Sequence, residues 1–439
     1  MSEVNTRYTT GVSQKLEERF AARAAGMLPS EIRALFAVAS RPEIVSLAGG
    51  MPNLSALPMD MMAGVVNELI LNNGAEALQY GSGQGHPKLR EQICDMMALE
   101  GIRANPDDVV VTTGSQQALD LISRIFIDPG DVVLVEAPSY VGALGTFRQY
   151  EASVVHVEMD HDGMIPDSLR NAIKSVRAAG RTIKFLYLIP NYQNPTGVCL
   201  PADRRTEILN ICREAEIMIV EDNPYGLLGF DKPSPNAMRA EDSENVIYLG
   251  SFSKTIASGL RVGWALAPHG VREKLVLAAE SAVLCPSNYA QFTVSSYLAT
   301  KPWRDQVAVF RDVYRERRDA LIDTMKVLMP AGTTWTVPTG GFYSWVTLPE
   351  GLDSRAMLPR AVNALVAYVP GTGFYVDGQG RQSLRLSYCY PTPERIKEGV
   401  RRLASVVEQE LELIATFGPD ALPHTDMPTF GSTPAPHVR

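Results

Sequence analysis

A lysine near the middle of the chain follows an apolar run, and its neighbours could bind an anion. Lys254 ends the sequence Ser-Phe-Ser-Lys (251–254), directly after the apolar residues 246–250. A lysine at the end of a buried strand loses hydration, which disfavours its ammonium form and leaves an amine that can act as a nucleophile. The two serines and Arg261 offer hydroxyl and guanidinium groups for a phosphate. Since such a tetrapeptide is usually a surface turn, its interpretation depends on the rest of the chain.

Other polar side chains also follow apolar runs. These runs alternate with helix-like stretches and occupy residues 109–113, 131–136, 153–157, 183–189 and 217–220. Continuous apolar strands between helices predict an α/β fold with a mostly parallel sheet covered on both faces. Tyr140, Asn194 and Asp222 come just after three of the runs. Because an open α/β sheet binds its ligand at the carboxyl ends of the strands, we expect these side chains to meet Lys254 there.

Composition excludes several classes of protein. The chain has 439 residues, 45% of them hydrophobic, which is enough for two domains. Its net charge is −8, and the sequence shows no basic stripe that would bind nucleic acid. No apolar run approaches the ~20 residues of a membrane span, and the N-terminus lacks the apolar core of a secretory signal. The five cysteines are scattered without a C-x-x-C pair, which favours reduced thiols in a cytoplasmic protein and no metal site.

Seven features occur in a fixed order: Gly-Ser-Gln (114–116), Tyr140, Asn-Pro-Thr-Gly (194–197), Asp-x-x-Tyr (222–225), Ser-x-Ser-Lys (251–254), Arg261 and Arg385. In their order and spacing the chain resembles the class I/II aminotransferases of fold type I, which depend on pyridoxal 5'-phosphate (PLP). The stretches at 47–53 and 78–80 are similar to the branch of 2-aminoadipate, kynurenine and aromatic aminotransferases. The resemblance covers roughly residues 28–413.

The resemblance implies a domain organisation. Residues 1–58 would form an N-terminal arm and a segment that covers the substrate, and 59–325 a large PLP-binding domain. Residues 326–415 would form a smaller α+β domain, joined by part of the N-terminal segment. The remaining residues, 416–439, contain five prolines and little that could pack, which predicts a disordered tail.

The resemblance also implies roles around the cofactor. Lys254 would form an aldimine with PLP and then move a proton at the substrate Cα, and Asp222 would keep the pyridine nitrogen protonated. Asn194 and Tyr225 would bond the phenolate oxygen of the ring, and Tyr140 would stack on its face. The phosphate would be held by Ser115, Gln116, Ser251, Ser253 and Arg261, and by Tyr80 from the neighbouring subunit of a homodimer with shared active sites.

On the substrate side, Arg385 would clamp the α-carboxylate beside Asn194, because a charge on an apolar strand is costly without a partner. Gly50 and Arg33 belong to the covering segment, where Arg33 could meet a distal carboxylate. We therefore expect ping-pong transfer from an aromatic, 2-aminoadipate or large aliphatic L-amino acid to a 2-oxo acid, with 2-oxoglutarate as the expected acceptor.

Two alternatives remain at this point. The same fold also supports other PLP chemistry, such as a β-lyase or a decarboxylase, although Arg385 favours transamination. A non-catalytic, aminotransferase-like sensor is the second alternative. Only about 27 residues precede the matching region, too few for a helix-turn-helix domain, which disfavours the sensor.

Overall fold

The computed structural model describes residues 41–418, together with 19–21, 23, 24 and 27. Arg33 and the part of the predicted tail from residue 419 onwards lie outside the described residues.

Fourteen strands occur in the described residues. In chain order they are β1 (Val45–Ser46), β2 (Val109–Thr112), β3 (Val132–Ala137), β4 (Ser153–Asp160), β5 (Gly163–Met164), β6 (Ile183–Leu188), β7 (Met218–Asp222), β8 (Val246–Ser251), β9 (Gly263–Leu266), β10 (Thr334–Trp335), β11 (Tyr343–Thr347), β12 (Val366–Ala367), β13 (Val369–Pro370) and β14 (Ser383–Ser387).

Twelve α-helices accompany them in the same part of the chain. They are α1 (Met59–Ala77), α2 (Pro87–Met97), α3 (Ser115–Phe126), α4 (Val141–Gln149), α5 (Pro166–Ala178), α6 (Ala202–Glu214), α7 (Met238–Glu241), α8 (His269–Val283), α9 (Asn288–Thr300), α10 (Trp303–Leu328), α11 (Ser354–Asn363) and α12 (Pro393–Phe417). None of these described helices is both long enough and apolar enough to cross a membrane.

An eight-stranded sheet forms the centre of the molecule. Its order is β2-β9-β8-β7-β6-β3-β4-β5, and the neighbours β4, β3, β6, β7 and β8 all run parallel. Strand β9 is antiparallel to both β2 and β8, and β5 is antiparallel to β4. The residues of β2 and β8 are all buried, because helices cover both faces. The predicted α/β fold with a mostly parallel sheet is therefore confirmed.

A smaller antiparallel sheet, in the order β10-β11-β14-β13, follows in the chain. Strand β1 pairs in parallel with β12 beside it, so the N-terminal segment joins this smaller α+β region. Helix α10 runs without interruption across the predicted domain boundary at 325/326. Helix α12 begins at Pro393 with the Thr392 side chain accepting from the Arg395 amide, which caps the helix.

Candidate active site

The carboxyl ends of β3, β6, β7 and β8 meet at one edge of the large sheet, where a cavity of about 290 Å³ opens. Twelve of the residues predicted from sequence line it: Gly50, Ser115, Gln116, Tyr140, Asn194, Asp222, Tyr225, Ser251, Ser253, Lys254, Arg261 and Arg385. Parallel strands bring their carboxyl ends to the same edge, which explains why the residues that end or follow β3, β6, β7 and β8 converge.

Lys254 enters this cavity from the turn after β8. Its Nζ donates a hydrogen bond to the Gly50 carbonyl at 2.9 Å and lies 5.4 Å from the centre of the Phe342 ring. Removal from water lowers the pKa of the lysine to about 8, and the charges of Arg261 and Arg385 act in the same direction. A substantial fraction of the amine is therefore neutral near physiological pH, as the sequence argument expected.

Asp222 is the last residue of β7 and is buried. Its Oδ2 accepts a hydrogen bond from the Tyr187 hydroxyl at 2.8 Å, whereas its Oδ1 has no partner within the described part of the chain. Burial raises the pKa of this carboxyl to about 6, and the Tyr187 bond opposes the rise. An unpartnered buried carboxylate oxygen is costly, so this atom is suited to a cationic N–H group from a ligand.

Arg385 lies on β14 with only 1% of its surface exposed. Its Nη1 donates to Asn194 Oδ1 at 2.9 Å and its Nη2 to the Ala48 carbonyl at 2.6 Å. The guanidinium carbon is 4.2 Å from the centre of the Tyr343 ring and 5.1 Å from that of Phe374. The Nε atom has no partner among the described residues, so the group keeps a donor for an anion.

A candidate anion site lies at the N-terminus of α3, where Ser115 is the first helical residue. Ser251 Oγ donates to Ser253 Oγ at 2.9 Å, and Arg261 Nη1 donates to the same Ser253 oxygen at 3.3 Å. Gly114 has a φ of +76°, and a Cβ there would lie 2.4 Å from Arg261 Nη2. Only glycine therefore lets the guanidinium approach the helix end this closely.

The Gln116 side chain is engaged with α4. Its Nε2 donates to Thr146 Oγ1 at 2.7 Å, and its Oε1 accepts from the Tyr140 hydroxyl at 3.3 Å. Gln116 therefore holds Tyr140 at the cavity wall through its side chain, and its backbone amide remains part of the helix N-terminus.

Two tyrosines at the site were not predicted from the sequence. Tyr343 on β11 lines the cavity and hydrogen-bonds Tyr225 through its hydroxyl, while Tyr187 on β6 holds Asp222. Both lie within strands, where a tyrosine is usually a core residue. The Gly-Gly pair at 340–341 is a local sequence feature near Tyr343 that could have drawn attention to this strand. Met51, Ile189, Pro224 and Ser258 also line the cavity.

Of the predicted residues that the structure describes, Tyr80 is not brought into this cavity. Tyr80 is 78% exposed and does not line it in the single chain, and Arg33 lies outside the described residues. Leu57 and Phe374 are buried in the core, and neither lines the cavity.

The groups in the cavity fit PLP. The unpartnered Asp222 Oδ1 suits a protonated ring nitrogen, and the Lys254 amine suits an aldehyde. The N-terminus of α3 with Ser251, Ser253 and Arg261 suits a phosphate.

Comparisons with known proteins agree with this geometry. Residues 45–403 match the family model described as aminotransferase class I and II. The aromatic-amino-acid aminotransferase 1 of Thermococcus litoralis is 39% identical over 399 residues, 90% of this chain and 95% of that protein.

Two solved structures are similar along nearly their whole length. The kynurenine aminotransferase of Pyrococcus horikoshii, in complex with PMP, kynurenine substrates and KYA products, has a TM-score of 0.86 at 38% identity, over 91% of this chain and 99% of that one. The α-aminoadipate aminotransferase LysN of Thermus thermophilus, complexed with N-(5'-phosphopyridoxyl)-L-leucine, has a TM-score of 0.84 at 36% identity, over 91% and 99%.

Proposed function

The chain belongs to the family of class I and II aminotransferases, and from this membership we propose that Lys254, Asp222 and Arg385 carry its reaction. It is a PLP-dependent aminotransferase of fold type I. The proposed donors are aromatic, 2-aminoadipate or large aliphatic L-amino acids, and the proposed acceptor is 2-oxoglutarate. The observation that carries the assignment is that the three side chains face one cavity.

PLP, when bound, supplies an electron-withdrawing ring that stabilises negative charge developing at the substrate Cα. We assign Asp222 to the ring nitrogen because its unpartnered Oδ1 would gain an N–H donor there. Asn194 and Tyr225 are assigned to the ring oxygen, Tyr140 to the ring face, and Ser115, Gln116, Ser251, Ser253 and Arg261 to the phosphate.

Lys254 would hold the cofactor through its amine and, once released by substrate, move the proton at Cα. A pKa of about 8 suits this role, because a base works best when its pKa is near the working pH. The bond to the Gly50 carbonyl orients Nζ within the cavity. Gly50 is thereby assigned to the substrate side of the site.

Arg385 would bind the substrate α-carboxylate. Its guanidinium is held between the Tyr343 and Phe374 rings and by Asn194, so little conformational freedom remains to be lost on binding. By holding the α-carboxylate, Arg385 would favour removal of the Cα proton over loss of carbon dioxide.

Amino-group transfer can be measured directly. Purified protein with PLP is incubated with ¹⁵N-labelled phenylalanine, 2-aminoadipate, leucine or aspartate in the presence of 2-oxoglutarate, and label in glutamate is followed by mass spectrometry. We expect transfer from phenylalanine, 2-aminoadipate and leucine, and its loss in Lys254→Ala. Carbon dioxide or an eliminated side chain as main product would favour a decarboxylase or a β-lyase. A change in cofactor absorbance without transfer would favour a sensor.

We also propose a homodimer in which Tyr80 completes the phosphate site of the neighbouring subunit. In the single chain Leu71, Leu78 and Tyr80 are between 70% and 78% exposed, and all three lie on or just after α1. Exposed apolar side chains this close in sequence are typical of a surface that another chain covers.

We further propose a cytoplasmic location, supported by the free thiols of all five cysteines. Cell fractionation with thiol labelling tests this proposal, and oxidised cysteines in protein taken directly from cells would contradict it.

A further inference from the structure

A row of buried polar side chains lies behind the cavity wall. Asn191 follows β6, three residues before Asn194, and Asn223 directly follows Asp222. Both asparagine side chains are buried, and neither lines the cavity. A buried amide needs partners for its oxygen and its nitrogen, so the question is what these two bind.

The two amides bind each other and two charged groups. Asn191 Nδ2 donates to Asn223 Oδ1 at 3.0 Å. Asn191 Oδ1 accepts from Arg205 Nη2 at 2.5 Å, and Asn223 Nδ2 donates to Glu100 Oε1 at 2.7 Å. The row therefore runs Arg205–Asn191–Asn223–Glu100, with each side chain donating to the next, from the Arg205 guanidinium to the accepting Glu100 carboxyl group.

The Arg205 end of the row is firmly anchored. Its buried guanidinium also donates to the carbonyls of Leu200 at 2.9 Å, Asn236 at 2.9 Å and Pro190 at 3.2 Å. The bond to Pro190 reaches the backbone directly before Asn191. The arginine thus holds both the side chain and the main chain at the start of this loop.

The Glu100 end is anchored as well. Its Oε2 accepts from the Tyr248 hydroxyl at 2.6 Å. Burial raises the pKa of Glu100, while the bonds from Tyr248 and Asn223 oppose the rise. A Cβ on Gly226 would lie 1.8 Å from Glu100 Oε1, so no side chain fits where the carboxyl group meets the loop after β7.

We propose that Asn191 and Asn223 are positioning residues that hold the loops after β6 and β7 in register. Through them Asn194 and Asp222 would both face the PLP ring, and Arg205 and Glu100 fix the two ends of the row. Asp222 depends on such support because its side chain has one partner, Tyr187, and an unpartnered second oxygen within the described residues. The inference rests on the roles proposed for Asn194 and Asp222 toward PLP.

A double-mutant cycle tests the row. Asn191→Ala, Asn223→Ala and the double variant are prepared as apoprotein and reconstituted with PLP, which gives a dissociation constant and the pH midpoint of the absorbance of bound cofactor. We expect each single variant to weaken PLP binding by about tenfold to a hundredfold and to shift the midpoint, as loss of a supporting residue does at other ligand sites. The double variant should bind PLP no more weakly than the single variant with the larger dissociation constant, because the two side chains act as one unit.

Tyr368→Phe is the matched control. It removes another buried hydrogen bond, from the Tyr368 hydroxyl to the Ser354 carbonyl at 2.6 Å in the smaller region. We expect it to lower the melting temperature of the apoprotein and to leave the PLP dissociation constant and midpoint at wild-type values. Should the alanine variants fail to fold, Asn191→Asp keeps the volume and the acceptor for Arg205, loses the donor to Asn223, and should weaken PLP binding similarly.

Two results would overturn the inference. In the first, the asparagine variants behave like Tyr368→Phe, with a lower melting temperature and unchanged PLP binding, which means a purely structural role. In the second, the two single effects multiply in the double variant, which means that the residues act independently. Failure of the wild-type protein to bind PLP would instead contradict the proposed cofactor site and is visible before any variant is compared.

Discussion

At the scale of single residues, the reactivity of Lys254 follows from its surroundings. An ordinary lysine titrates near ~10.4, whereas burial and two arginines lower the pKa of Lys254 to about 8. The amine is therefore increasingly neutral above pH 8, while the same lysine in an unfolded chain stays protonated up to about pH 10.

This difference predicts the reactivity of Lys254 in the apoprotein. Brief acetylation across a pH series, followed by mass spectrometry of the Lys254 peptide, should give a midpoint near pH 8. The same peptide in urea-unfolded protein should give a midpoint near ~10.4 and serves as the control. Equal midpoints in the two states would mean that the fold does not activate this amine.

The Arg385 side chain allows a second prediction at this scale. Arg385→Lys keeps the charge but loses the bidentate fork and the contact with two aromatic rings. We expect KM for the amino acid to rise by about tenfold to a hundredfold with a smaller change in kcat. Steady-state kinetics measures both constants. Arg360→Lys, whose arginine pairs with Glu410 outside the cavity, is the control, and equal kinetics in both variants would contradict the assignment.

Polar residues at or just after strand ends could be predicted, as could Arg385, a charge on an apolar strand, whereas two tyrosines inside strands could not. Lys254, Asn194 and Asp222 carry polar chemistry where a chain leaves a buried strand, and that position marks them in the sequence. Tyr187 and Tyr343 reach the site from within β6 and β11, where local sequence does not separate them from core tyrosines. Their roles depend on which strands become neighbours.

At the scale of elements, the anion site depends on how closely β9 approaches the start of α3. A Cβ on Gly263 would lie 2.7 Å from the Ser115 amide nitrogen and the Gly114 carbonyl carbon. Backbone atoms at this distance cannot move aside separately, so a larger residue in the strand must displace the end of the helix.

Gly263→Ala should therefore weaken PLP binding. Overpacking of this kind costs about 1–3 kcal/mol. The backbone that is displaced carries the amide groups assigned to the phosphate. Titration of the apoprotein with PLP measures the loss. Gly145→Ala in α4 is the control, because a Cβ there meets nothing within 4 Å and alanine favours the helix. PLP affinity equal to wild type in Gly263→Ala would contradict this reading of the helix end.

His156 joins two elements in a pH-dependent way. Its Nδ1 is 2.9 Å from the Glu136 carbonyl, and its Nε2 accepts from the Val376 amide at 3.1 Å, so Nδ1 carries the proton and the ring is neutral. Burial lowers the pKa of His156, and the Asp377 carboxylate opposes this. The contribution of His156 to the free energy of unfolding is therefore fully present above pH ~6.5, the ordinary pKa of histidine. It is lost as the pH falls through the lowered pKa of the folded protein.

His156→Gln keeps an acceptor but does not titrate. Between about pH 7 and pH 5, the free energy of unfolding should therefore fall less steeply in the variant than in the wild-type protein. Urea denaturation at several pH values gives this slope, and Asp and Glu residues common to both proteins cancel in the comparison. Parallel slopes would show that the histidine is not the titrating link.

At the scale of the whole molecule, the α/β fold with its mostly parallel sheet could be predicted more fully than the molecular surface. Alternating apolar runs indicated the parallel sheet, but they did not reveal that β9 runs antiparallel within it. Strand direction depends on connection geometry and not on local sequence. No periodic pattern in the sequence marks the exposed apolar side chains of α1. The contact proposed for Tyr80 was therefore predicted from the family resemblance alone.

The proposed homodimer predicts a linked loss of assembly and cofactor. Leu71→Glu places a charge on the exposed apolar part of α1 and should convert the protein to a monomer with weaker PLP binding. Sedimentation and PLP titration measure the two effects. Val327→Glu, at a side chain that is 79% exposed on α10, should change neither. A Leu71→Glu protein that remains dimeric with full PLP affinity would place the interface elsewhere.

The bond from Arg385 to the Ala48 carbonyl joins residues 337 positions apart in the chain. Translation at about 5–20 residues per second separates the appearance of these two residues by roughly 17–67 s. For most of that interval β1 has been synthesised, but β12 and Arg385 have not. The proposed amino acid site is thus completed only once Arg385 has been synthesised, and a chain released before Arg385 can neither complete the smaller sheet nor hold a substrate carboxylate.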